Sequence, residues 1–128
     1  MNGNILDTNV IIRLLNGDEN VRSAIYKMTD ICIPVVVVGE LLFGAEKSQK
    51  REQNRRNYLA FCAPYPVLDV TQKVADEYGK LKKALQAHGN IMPENDMWIA
   101  ATALANGMTV VTQDKHFEHI DGLLIIKV

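Results

Sequence analysis

Five short apolar runs, separated by stretches of helical periodicity, limit this chain more than any other feature. They lie at residues 3–6, 31–38, 67–70, 108–112 and 123–128. Runs this short and this rich in Val and Ile bury completely as strands covered on both faces. Strands that alternate with helices pair in parallel, because each helix carries the chain back across the sheet. The expected fold class is therefore α/β, with a mainly parallel sheet of four or five strands flanked by helices. In such sheets the crevice at the carboxyl ends of the strands is the usual binding site.

Local signals divide the rest. Thr8 is placed to cap a helix through Val10, Ile11, Leu14 and Leu15, stopped by Asn16-Gly17, and Asp18 to cap a second through Val21 and Ile25. The β-branched run at 31–38 reads as strand, although Pro34 suits either a strand start or a first helical turn. From Gly39 the pattern is helical, and one polar helix is expected to continue through Arg55 to Phe61 until Pro64 and Pro66 break it. Thr71 caps a long amphipathic helix through Val74, Tyr78, Leu81 and Leu85. A turn at 92–96 leads into a helix from Trp98 to Leu104, ended by Asn106-Gly107.

With 128 residues the chain is expected to form one domain, residues 1–128. The formal net charge is −1, so a polyanionic partner must be held by a local basic patch or by bound metal. Cys32 and Cys62 form no CxxC or Cys/His cluster, which argues against a disulfide framework and a zinc site. Met-Asn-Gly-Asn at the start has neither the basic region nor the long apolar stretch of a leader, and no apolar run is long enough to span a bilayer. The expectation is a cytoplasmic, reduced protein without membrane contact.

Most of the 15 acidic residues read as solvated charge. Four do not. Asp7 and Asp114 each follow an apolar strand, Asp96 opens an otherwise apolar helix, and Glu40 is embedded between Val38-Gly39 and Leu41-Leu42, where a carboxylate is costly unless paired or metal-bound. Singly, each has a structural account as a cap, a turn residue or a helix edge. Jointly, four carboxylates converging in one crevice would repel each other without a cation. Oxygen ligands of that kind suit Mg²⁺ or Mn²⁺, ions that activate water and stabilise an in-line phosphoryl transition state.

Leu6-Asp7-Thr8-Asn9, the segment from Gly39 to Gly44, the segment from Pro93 to Ala101 and Val111-Thr112-Gln113-Asp114 occur in the order and spacing of the PIN-domain nucleases. The chain resembles most closely the VapC-type toxins of prokaryotic toxin–antitoxin pairs. The resemblance implies a three-layer sandwich and a metal cluster of Asp7, Glu40, Asp96 and Asp114. It implies polar positions near the site at Thr8, Asn9 and Thr112, and it places Glu40 within a helix that begins soon after Pro34. Many relatives carry Asn where this chain has Gln113, a departure that leaves the acid in place. The implied activity is hydrolysis of RNA, with transfer RNA or the sarcin–ricin loop of ribosomal RNA as substrate classes. The implied partners are a cognate antitoxin and a second copy of the chain.

Other features carry less. Lys47, Lys50, Arg51, Arg55 and Arg56 could meet RNA phosphates, but a solvated helix paired with Glu46 and Glu52 accounts for them as well. His116 and His119 have HxxH spacing without a further His or Cys, so a metal role is not expected. Trp98 could stack a base, although a core or dimer contact is the simpler reading. Two rivals remain open: a non-catalytic module with a relic site, and a haloacid-dehalogenase-like phosphotransferase. The latter normally has a second Asp where this chain has Asn9.

Overall fold

The computed structural model describes residues 3–128. Its strands are β1 (Asn4–Leu6), β2 (Ile31–Pro34), β3 (Val67–Leu68), β4 (Thr109–Thr112) and β5 (Ile125–Lys127). The helices are α1 (Thr8–Leu15), α2 (Glu19–Tyr26), α3 (Val35–Glu46), α4 (Arg51–Cys62), α5 (Gln72–Ala87) and α6 (Glu94–Asn106), and a 3₁₀ turn spans Lys115–His119. The strands form one sheet in the order β3-β2-β1-β4-β5, and every pair is parallel. Every residue of β2 and β4 is buried. Burial on both faces requires cover on both faces, and the six helices supply it as the outer layers of a sandwich.

The order places β1 at the centre, where the chain turns from building toward β3 to building toward β5. Leu6 pairs with Val111, so the residues that follow β1 and β4 emerge side by side. This is the topological switch point at which open parallel sheets leave a crevice. Ile5, Leu6, Val10, Ile11, Ile33, Val37, Val110 and Val111 are fully buried around it. No helix among the described residues is long and apolar enough to cross a membrane.

Three expectations need correction. Residues 35–38 are helix, as the resemblance implied and the strand propensity did not: Pro34 sits at the N-cap with φ −63° and ψ 141°. Val37, Leu41 and Ala45 then share a buried stripe, and burying it outweighs the weak helix propensity of valine. The long polar helix is two helices. Ser48 Oγ donates to the Ala45 carbonyl at 2.8 Å and accepts from Asn54 Nδ2 at 3.0 Å, which satisfies the end of α3 and ends it. Finally, Thr8 does not cap α1. Asp7 does, with its carboxylate accepting from Thr8 N. The caps expected at Asp18 and Thr71 are present, and Gly107 ends α6 in the left-handed region at φ 62°.

Candidate active site

The four acids arrive at the crevice from four elements. Asp7 follows β1, Asp114 lies two residues beyond β4, Glu40 sits midway along α3 and Asp96 lies in the first turn of α6. Asp7 is 4% exposed, and its two oxygens have separate partners. Oδ1 accepts from Thr8 N at 2.8 Å and Oδ2 accepts from Thr112 Oγ1 at 2.8 Å. The Thr112 hydroxyl oxygen also accepts from Asp114 N at 2.9 Å. One buried threonine thus ties the ends of β1 and β4 together. Glu40 is held in the same manner: Thr8 Oγ1 donates to its Oε1 at 2.6 Å and Asn95 Nδ2 to its Oε2 at 3.4 Å.

The electrostatics follow from this placement. Burial, opposed by the hydrogen bonds from Thr112 and Thr8 and aided by the charges of Glu40 and Asp114, pushes the Asp7 carboxyl above its usual range. Burial, then the charges of Asp7, Asp114 and Glu40, push Asp96 up to about 7, with His116 pulling the other way. Asp96 is therefore coupled to all three other acids. Its side chain is 15% exposed, open enough to meet a solute from the crevice.

Among the described residues no Lys or Arg pairs with any of the four. Among the described residues the basic side chain within 4 Å of any of them is His116. Its Nδ1 lies 2.9 Å from Asp114 Oδ1 and 3.9 Å from Asp96 Oδ2, and ligand atoms of these three residues lie within 4.8 Å of one another. From sequence, His116 has no expected metal role, for want of a further His or Cys beside the HxxH pair. The relevant signal was its position two residues after Asp114, where a tight 3₁₀ turn, capped by Asp114 Oδ1 accepting from His116 N at 2.9 Å, folds the ring back onto the acid.

Of the polar positions near the site, Thr8 and Thr112 bond to the acids, whereas Asn9 is exposed on α1. Trp98 is half-buried and packs its ring on Tyr78, with centroids 3.8 Å apart and planes 4° from parallel, so the packing reading holds for it. Arg51 is occupied by Glu46 at 3.9 Å and Glu52 at 3.7 Å. Both cysteines are buried free thiols.

Comparison with known proteins identifies the family. The family model described as PIN domain matches residues 5–123. The chain is 32% identical to Ribonuclease VapC2 of Rickettsia felis over 126 residues, covering 94% of each protein. It is 33% identical over 122 residues to the tRNA(fMet)-specific endonuclease VapC of Shigella flexneri, covering 93% of this chain and 92% of that one. Among solved structures it superimposes on the DNA-bound VapBC of Salmonella typhimurium with a TM-score of 0.90 and 32% identity, covering 99% of this chain and 98% of that one. VapBC2 of Rickettsia felis, bound to a DNA fragment from its promoter, gives a TM-score of 0.87 at 31% identity, with 98% of each chain covered. The phosphotransferase reading is thereby set aside: this chain belongs to the PIN domain family, and within it stands with the VapC ribonucleases.

Proposed function

We propose that this chain is a cytoplasmic, Mg²⁺- or Mn²⁺-dependent endoribonuclease, the toxin of a toxin–antitoxin pair. The observation that carries this reading is the gathering of Asp7, Glu40, Asp96 and Asp114 without a Lys or Arg partner among the described residues. The donor set fits a hard divalent cation, since every carboxylate offers oxygen and the crevice bears uncompensated negative charge. A carboxyl pushed up to about 7 chiefly by burial and by its acidic neighbours is one that a nearby cation returns to the carboxylate form. Asp7, Glu40, Asp96 and Asp114 would hold the ion. When bound, it supplies charge neutralisation at the phosphodiester and a water of lowered pKa for in-line attack.

The chain's own residues do the positioning. Thr112 and the Thr8 amide fix both oxygens of Asp7, so that this buried carboxylate presents one orientation. Thr8 and Asn95 do the same for Glu40. Such hydrogen-bonded partners set ligand direction as firmly as the ligands themselves set position. The crevice is acidic and the phosphodiester is anionic, so binding and chemistry both require the cation.

Several relatives point to the substrate class and the partners. Two are tRNA(fMet)-specific endonucleases, from Shigella flexneri and Salmonella typhimurium, which makes transfer RNA the first substrate to test and ribosomal RNA the second. One solved relative at 29% identity is a member of the VapBC family of toxin–antitoxin systems, from Mycobacterium tuberculosis, and a cognate antitoxin that places an Arg or Lys among the four acids would neutralise the charge directly. A homodimer is part of the same proposal, with residues 1–128 acting as one nuclease domain.

The test is cleavage of purified transfer RNA by the purified chain with Mn²⁺, with EDTA, and with the Asp7→Asn variant. Cutting is expected only for the wild type with metal. Cleavage that persists in EDTA and in Asp7→Asn would overturn the mechanism. An inert wild type that binds no Mn²⁺ would leave a non-catalytic module as the surviving account.

A further inference from the structure

The acidic crevice continues into a groove of about 590 Å³ that runs along α3. Glu40, Phe43 and Lys47 fall at steps of three and four, so they share one stripe of that helix and its C-cap. Ile12 and Val36 add apolar wall, and Asn95 adds a polar one beside Glu40. A Cβ at Gly39 or Gly44 would meet nothing within 4 Å, so the groove is open on both sides of the acid.

Two side chains in this groove have no task in the fold. Phe43 is 64% exposed, beside a core that buries every other phenylalanine at least in part. Lys47 is exposed, has no carboxylate partner among the described residues, and places its Nζ 4.8 Å from the centroid of the Phe43 ring. The other basic residues of this region contrast with it: Arg51 is engaged by acids, and none of Lys50, Arg51, Arg55 and Arg56 lines the groove beside Glu40. An apolar protein segment would use the ring but gain nothing from the ammonium. A phosphodiester chain uses both, with a base on the aromatic face and a phosphate on the cation.

We propose that Phe43 and Lys47 form a nucleotide subsite for single-stranded RNA next to the scissile bond, in which a base stacks on Phe43 and the adjoining phosphate pairs with Lys47. This rests on the ribonuclease reading and extends it. The acids supply the reacting centre, and the α3 stripe determines which nucleotide is delivered to it. It also requires an unpaired base, because a ring can stack a base only where the strand is open.

The experiment combines cleavage kinetics with direct binding. Phe43→Ala, Phe43→Trp, Lys47→Gln and wild type are assayed with Mn²⁺ on transfer RNA. Anisotropy of a fluorescently labelled single-stranded RNA is measured for the same changes in the Asp7→Asn background, where cleavage is silent. Phe43→Ala should raise KM and weaken RNA binding by about five- to hundredfold, the range for loss of one base–aromatic stack, with kcat changed far less. Phe43→Trp should restore both. Lys47→Gln should lower the slope of log affinity against log salt by about 0.7, the signature of one lost phosphate contact to a single strand. Unchanged KM, binding and salt slope in an active enzyme would overturn the subsite. So would a Phe43→Ala protein that binds RNA normally but escapes inhibition by the antitoxin encoded beside it, which would assign the groove to a protein partner. Failure of the wild type itself to cut RNA is a separate result, and it counts against the ribonuclease reading.

Discussion

Thr112 Oγ1 donates to Asp7 Oδ2 at 2.8 Å across 105 positions of sequence, and the same oxygen accepts from Asp114 N. A single hydroxyl therefore fixes two acids of the crevice. Thr112→Val keeps the shape and removes the hydroxyl. It should cost about 1–3 kcal/mol, the range for leaving a buried polar group without its partner. It should also weaken Mn²⁺ binding by roughly ten- to hundredfold, as the loss of an orienting partner does. Urea unfolding and calorimetric Mn²⁺ titration measure the two effects, and Thr112→Ser should retain most of both.

The raised Asp96 carboxyl gives the metal-free protein a characteristic pH dependence. Its folded pKa, about 7, lies above the unfolded value of about 3.9, so the folded state holds a proton that the unfolded state releases. The stability this contributes is fully present below the unfolded value and is lost as pH rises through about 7. In EDTA the protein should therefore lose stability between about pH 4 and 7, and Asp96→Asn should flatten that slope. Chemical denaturation at a series of pH values checks it. An equally steep slope in the variant would assign the effect elsewhere.

Part of this was legible in the chain and part was not. Asp7 and Asp114 stand out because a carboxylate within two residues of the end of a buried parallel strand is expected at the crevice. Glu40 stands out because an acid among valines and leucines needs a reason. Propensity alone misreads residues 35–38 as strand; the resemblance places them in the helix of Glu40, and the tertiary burial of Val37, Leu41 and Ala45 holds them there. The break between α3 and α4 was hidden. It depends on a serine hydroxyl meeting a carbonyl and an asparagine six residues on, a pattern with no periodic signature. His116 was missed because its place depends on the sense of one tight turn.

Metal should distinguish ligands from structural acids. A ligand that binds only the folded state stabilises it by roughly 2.7 kcal/mol at a hundredfold excess over its Kd. Wild type should show an increment of that order in Mn²⁺. Asp96→Asn and Glu40→Gln should lose most of it while remaining at least as stable as wild type in EDTA, because each removes mutual repulsion. Thermal unfolding with and without Mn²⁺ reads both quantities. If Asp96→Asn and Glu40→Gln both keep the full increment, the two acids bind no metal.

The far end of the sheet gives a control remote from the crevice. A Cβ on Gly3 would lie 2.9 Å from the Asp30 carbonyl oxygen and 3.0 Å from Met108 Cε. Gly3→Ala must push the entry to β1 away from the turn before β2 and should cost about 1–3 kcal/mol. Its midpoint in urea should fall while the Mn²⁺ increment stays that of wild type.

The central place of β1 in the sheet also determines when the crevice can first form. Asp7 and Glu40 leave the ribosome early, but Asp96 and Asp114 belong to the last third of the chain, and β4 must pair with β1 before the threonine clasp can close. A nascent or truncated chain that stops before β4 carries Asp7, Glu40 and Asp96 but lacks Thr112 and Asp114, so the crevice is incomplete. The crevice therefore cannot close until the segment that carries β4 has been made and has paired with β1.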